Sequence, residues 1–294
     1  MKKLGMIAKV YEVEFLEFGK IYYFTYEGEL NRGAKVLGMS FFGLDVGKVI
    51  KGPEEVDMET IDYEVKPLLR PLTKEDLETE QKNRFDADEA YGICQKKILA
   101  LQLPMKLLKA QYMFDRSKLL FYFSAEGRVD FRELVKELAH CFKTRIELRQ
   151  VGVRDELKFI GSIGMCGQPV CCRRFKRDFD KITLRDAKRQ QMMINPAKIS
   201  GQCKRLLCCL KYELDNYEEI LADIPDPGSI IQYNEEVCKV SGCNIFKKMV
   251  SASTDDGNKR EIPFDYFHER KDSVLSKPVS SDDDLEELPD EDEG

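Results

Sequence analysis

Two hydrophobic periods alternate along this chain, and the places where they change mark its predicted organisation. In residues 1–67, runs mixing Val, Ile, Tyr and Phe at 8–17, 20–26, 34–40 and 44–49 are separated by turn residues such as Gly19-Lys20, Glu27-Gly28 and Gly43. That alternation predicts short strands folding into a small barrel-like module. Its aromatics, Phe15, Phe18, Tyr22, Tyr23, Phe24 and Tyr26, read first as barrel core and cross-strand pairs, and second as a base-stacking surface.

A helical period takes over after Pro67 and Pro71, with Thr73 ahead of Lys74-Glu75-Asp76 as its start signal. Residues 74–103 carry an imperfect apolar stripe of Phe85, Ala90, Ile93, Ile98 and Leu101, with Cys94 beside it as a small core residue. Strands at 105–114 and 118–124 flank a polar turn, Asp115-Arg116-Ser117. A helix at 131–141, capped by Asp130, and a strand at 145–151 complete an α+β layer. His140 and Cys141 end that helix with nothing nearby to complete a metal site, so they read as structural.

Beyond Gly152, residues 158–163 form a short apolar segment bounded by glycines. Residues 178–191 read as a basic helix, and residues 206–221 as a further helix. Residues 229–267 return to the strand period, with Cys238 and Cys243 as small buried residues. The predicted fold class is α+β. A central mixed α/β domain at 74–222 carries two Cys-x4-Cys-Cys arms, with β-barrel-like modules at 1–67 and 226–268. An acidic tail at 271–294 is too poor in apolar residues to order.

Composition changes this picture in two places. No stretch approaches ~18 consecutive apolar residues, and the first residues lack the apolar run of a signal peptide. A cytoplasmic location without membrane insertion is expected, and there ten cysteines point to metal or redox chemistry rather than disulfides. The net charge of −6 hides a strong asymmetry: residues 170–211 hold twelve Lys or Arg against three Asp, whereas residues 281–294 hold nine acids and no base. The basic segment, with Arg173, Arg174, Lys176, Arg177, Lys204 and Arg205, suits an anionic partner; the alternative is a solvated helical face.

Six cysteines fall into two arms of one design. Cys166, Cys171 and Cys172 make the first; Cys203, Cys208 and Cys209, displaced by 37 residues, make the second. Each vicinal pair is followed by any residue, a base and an aromatic. With only two histidines in the chain, the choice lies between an all-cysteine zinc site and iron–sulfur ligation. Zinc would use Cys166, Cys171, Cys203 and Cys208 and leave Cys172 and Cys209 idle. Neighbours on a helix point ~100° apart, so vicinal thiols suit two different centres. Six thiols are two short of the eight that a pair of 4Fe–4S clusters needs, which predicts ligands from elsewhere. The flanking bases favour thiolate in either case. A thiol redox sensor cycling the vicinal pairs is a further class. No carboxylate pair or nucleophile–base constellation stands out, so the chain is not expected to be an enzyme.

Residues 121–135, 145–155, 164–172 and 195–213, which contain both arms, resemble the YaaT/RicT family, bacterial proteins labelled stage 0 sporulation proteins. The resemblance covers roughly residues 85–215. It implies a non-catalytic regulatory subunit that assembles with two small helical partners of a Ric-type complex. It also implies two 4Fe–4S clusters, with the six arm cysteines at the family's cysteine positions and some of them ligands shared with partners. The implied role is in RNA maturation through the endoribonuclease RNase Y, with a further role in a sporulation phosphorelay. The acidic tail and Cys238 and Cys243 lie outside that resemblance.

Overall fold

The computed structural model describes residues 7–15 and 19–276, and the chain divides into two compact units, Met1–Phe179 and Asp180–Gly294. The boundary falls inside the 74–222 segment, between the two arms. Phe18 and residues 277–294 of the acidic tail lie outside the described residues.

The first unit opens with β1 (Ile7–Glu14), β2 (Ile21–Thr25), β3 (Lys35–Met39) and β4 (Leu44–Asp57). β1 lies between β2 and β4, and β4 between β1 and β3, all antiparallel. Two short strands, β5 (Lys66–Pro67) and β6 (Arg70–Pro71), then pair with the opposite edges, β2 and β3. The Leu68 N–H donates to the Thr25 carbonyl at 2.8 Å and the Leu69 N–H to the Leu37 carbonyl at 2.9 Å. One extended segment thus staples both edges of a half-barrel. Leu68 is buried with Tyr11, Val13, Phe24, Val36 and Val49. Phe15 meets Phe24 edge-to-face at 5.3 Å, so these aromatics pack the core.

Thr73 caps α1 (Lys74–Ala100) in a reciprocal capping box with Asp76. Arg70 forks onto the same carboxylate, and that hydrogen bond above all holds Asp76 well below the usual carboxylate range. The buried stripe is Ala87, Ala90, Cys94 and Ile98, at helical spacing. Phe85, expected in the stripe, faces solvent: the small residues face inward because β7 packs closely. Burial pushes the Cys94 thiol up to about 12, as suits a packing residue.

β7 (Lys106–Tyr112) pairs antiparallel with β8 (Lys118–Ser124), and β9 (Arg145–Gln150) runs parallel to β8. α2 spans Arg132–Phe142 with Phe131 at its N-cap. Asp130 is one residue further out than expected, yet it accepts the Arg132 N–H at 3.2 Å. β8 is buried on both faces. Leu119 and Phe121 pack with α1 and α2, while Leu120 and Tyr122 pack with Phe42 and Phe159. Phe159 belongs to α3 (Val153–Ile160), a helix where only an apolar segment at 158–163 was expected. Its apolar positions 153, 157 and 160 are helically spaced but masked by interleaved charges. α4 (Cys171–Arg174) closes the first unit.

In the second unit the expected basic helix at 178–191 shrinks to α5 (Leu184–Arg189), started by a Thr183–Asp186 capping box. No apolar period extends it backward. α6 (Pro196–Ile199) and α7 (Cys208–Leu221) follow. Then β10 (Ile230–Tyr233), β11 (Glu236–Asn244), β12 (Met249–Thr254) and β13 (Lys259–Pro263) form an antiparallel row rather than a second barrel. The strand period expected through 267 stops at Pro263, and Phe264 starts α8 (Phe264–Glu269), turning into the core beside Phe267. Residues 271–276, expected to open the disordered tail, instead form a 3₁₀ turn and β14 (Val274–Ser276) on the free edge of β10. Cys238 is core; Cys243 is half-buried, and both thiols are pushed up by burial.

Candidate functional site

The two cysteine arms are local copies of one hairpin. In the first, Ile163 bridges Pro169; in the second, Ser200 bridges Leu206. The Gly164 N–H donates to the Gln168 carbonyl and the Gly201 N–H to the Arg205 carbonyl, both at 2.8 Å. The Val170 N–H reaches the Ser162 carbonyl at 3.1 Å, and its counterpart Leu207 reaches Ile199 at 2.9 Å. Each bond repeats with the 37-residue offset. The residue after the turn cysteine takes positive φ in both, Gly167 at 77° and Lys204 at 65°.

This backbone explains the Cys-x4-Cys-Cys spacing. Cys166 and Cys203 sit at the hairpin tip, each Sγ folded back near its glycine, Gly164 or Gly201. After four intervening residues the chain has turned into a helix, so Cys171-Cys172 and Cys208-Cys209 occupy the first turns of α4 and α7. Neither helix has a side-chain N-cap.

Burial divides the thiols. Cys172 is 3% exposed, Cys166 is exposed, and Cys171, Cys203, Cys208 and Cys209 are half-buried. The aromatics that follow, Phe175 and Tyr212, are 45% and 56% exposed, at equivalent places. Among the described residues, no three Cys, His, Asp or Glu side chains converge as a metal-binding group. The donors present are soft thiols, three per arm, which suits iron–sulfur or zinc chemistry; neither arm supplies a fourth thiol.

The bases divide too. Arg177 donates from Nε to Glu14 Oε1 at 3.1 Å and from Nη1 to the carbonyls of Cys172 and Arg173. It therefore ties the end of α4 to β1. The Arg173 guanidinium lies over Gly161, where a Cβ would come within 2.1 Å of Nη1. Lys176, with Arg154 and Lys158, surrounds the Phe179 ring at 4.5–5.8 Å. Arg174 and Lys204 face solvent, and Arg205 is half-buried. The role of Arg177 was not readable from sequence, because Glu14 lies 163 residues away.

Comparison with known proteins now places the chain. Two family models match: the PSP1 C-terminal conserved region over residues 66–151, and the third domain of PSP1-like proteins over 181–224. The stage 0 sporulation protein YaaT of Bacillus subtilis (strain 168) is 44% identical over 239 residues, covering 81% of this chain and 87% of that one. The chain belongs to the YaaT family. Protein PSP1 of Saccharomyces cerevisiae is 34% identical over a stretch that is 28% of this chain and 13% of its own. An uncharacterized Schizosaccharomyces pombe protein is 40% identical over 28% of this chain and 11% of its own. No solved structure matches. The second YaaT-family arm falls inside the third-domain match, and the first falls between the two matched regions. No helix among the described residues is long and apolar enough to cross a membrane.

Proposed function

We propose that this YaaT-family protein is a non-catalytic regulatory subunit of a cytoplasmic complex that holds 4Fe–4S clusters and directs RNase Y-dependent RNA processing. The observation that carries this reading is the repeated hairpin: three thiols on each of two matching backbones, each followed by an exposed aromatic. Cys166, Cys171 and Cys172 would hold one centre, and Cys203, Cys208 and Cys209 another. A 4Fe–4S cluster takes four thiolates, so three per arm leaves one position for another chain, such as the small helical partners of a Ric-type complex. The exposed Phe175 and Tyr212 provide apolar surface beside each thiol set, where a partner would dock. The clusters would contribute a partner-dependent, oxygen-sensitive link between subunits. Arg174, Lys204 and Arg205 would offset cluster charge or meet RNA phosphates.

The test is anaerobic co-purification with the partner subunits, followed by iron and sulfide quantification. About eight irons per complex are expected, with roughly half lost when the cysteines of one arm are changed to serine. Stoichiometric zinc and no sulfide would replace this reading with a zinc-stabilised nucleic-acid-binding module. Metal-free protein with titrating vicinal dithiols would replace it with a thiol redox sensor.

A further inference from the structure

A cavity of about 140 Å³ opens in the first unit where the half-barrel meets β7 and β8. It is smaller than the roughly 300–1,000 Å³ that encloses a whole small molecule, so it suits one inserted group. Asp45, only 7% exposed, lies in its wall. Asp45 Oδ1 accepts the Val46 N–H at 2.8 Å and Oδ2 accepts Gln111 Nε2 at 2.9 Å. Gln111 Oε1 is buried without a partner. Burial pushes the carboxyl up to about 7, against the lowering effect of the Val46 N–H and Lys109. Where Asp45 is ionised, the unmet demand here is for N–H donors: its carboxylate keeps open lone pairs, and the Gln111 amide oxygen has no partner.

The rest of the lining narrows the ligand. Phe41 is 83% exposed and meets Phe42 edge-to-face at 5.3 Å, an apolar ring held out beside the opening. Tyr22 lines another wall, with Lys20 Nζ 5.8 Å from its ring centroid. Arg149 stacks on Phe42 at 4.8 Å. Lys20 is the cation of the lining, 4.0 Å from Asp178, and Arg149, paired with Glu147 at 3.3 Å, stands behind Phe42; an aromatic wall with one buried acid and one cation at its rim suits a neutral donor-rich ring joined to an anion. Among the bases, guanine alone presents adjacent N–H donors from N1 and N2 along one edge.

We infer that this cavity takes a single guanine base, with Asp45 and Gln111 accepting its N1–H and N2–H donors, Phe41 stacking on the ring and Lys20 meeting the phosphate. The same chemistry comes from a free guanine nucleotide or from an unstacked guanosine in RNA. The RNA source rests on the RNA-processing reading; the free-nucleotide source does not.

The test uses the full chain in two arms: calorimetric titration with GMP and AMP, and anisotropy with labelled UUGUU, UUAUU and UUUUU RNA. A preference of about tenfold or more for the guanine member is expected in at least one arm, the discrimination that a bidentate edge contact supplies. Asp45→Asn should abolish that preference. Phe41→Ala, at an exposed ring, keeps the fold testable and should weaken guanine and adenine ligands alike. Preference in the GMP arm alone assigns a free nucleotide, and preference in the RNA arm assigns RNA. RNA binding with no guanine preference in either arm overturns the inference and leaves the RNA-processing reading standing. GMP selectivity without any RNA binding does the reverse. Equal or absent binding of GMP and AMP together with indifferent RNA binding, or a preference that survives Asp45→Asn, overturns the inference.

Discussion

After its vicinal cysteines the first hairpin runs into a helix of four residues, and the second into a helix of fourteen. The residue after the pair accounts for much of the difference. Leu210 is buried with Ala187 and Ile199, and Leu214, one turn on, is buried too, so α7 continues along an apolar seam. Its counterpart Arg173 cannot enter such a seam, and α4 ends at Phe175. Polar contacts take over there: Arg177 accounts for two carbonyls at the end of α4 and pairs with Glu14. One backbone is thus held by a hydrophobic core and its copy by a cation clamp. The hairpin itself is set by its own hydrogen bonds, and the surroundings decide only how firmly it is held.

The largest expected effect lies on the apolar side. Leu210→Ala removes a fully buried side chain and should cost about 2–5 kcal/mol, read as a lower urea midpoint for the second unit. A loss under about 1 kcal/mol would show that the second hairpin does not depend on that core. On the polar side, Glu14→Gln keeps the shape but leaves the Arg177 guanidinium facing a neutral amide. The two side chains are 15% and 11% exposed, so solvent compensates little. A cost of about 1–3 kcal/mol follows, and the Glu14→Gln/Arg177→Met double variant should cost less than the sum of the two single variants, because both act on one ion pair. Strictly additive costs would remove the clamp from the comparison.

The sequence disclosed the repeated arms and most of the elements because these follow from local rules. Thr73 and Asp76 announce α1, the glycines announce turns, and a 37-residue offset is visible by eye. The misses share a different cause. α3 hides its apolar positions among charges, and Phe85 loses its inward place to Ala87 because packing distance outranks hydrophobicity there. Residues 271–276 order because β10 offers a free edge, a fact about the sheet and not about the segment. Arg177 with Glu14, and Asp45 with Gln111, are joined across 163 and 66 residues, so no local pattern could pair them. The cysteine spacing was legible as chemistry, but the division of the thiols by burial needed the hairpin.

The smallest expected effect lies in the hairpin itself. Both copies need a left-handed residue after the tip cysteine; the first uses Gly167 and the second Lys204. A non-glycine side chain in that conformation costs about 1 kcal/mol, and a glycine loosens the unfolded chain by about 0.4–1 kcal/mol. The two terms nearly cancel, so Lys204→Gly should move the thermal midpoint of the second unit by no more than a degree or two. Gly167→Lys meets no neighbour within 4 Å, so the same two terms apply in reverse and it too should move the midpoint by no more than a degree or two. Backbone strain therefore does not separate the two hairpins at this position, and nothing in the structure explains the lysine at 204. A fall of more than about 2 kcal/mol in either variant, read from urea unfolding, would mean that one hairpin depends on its residue for more than backbone conformation.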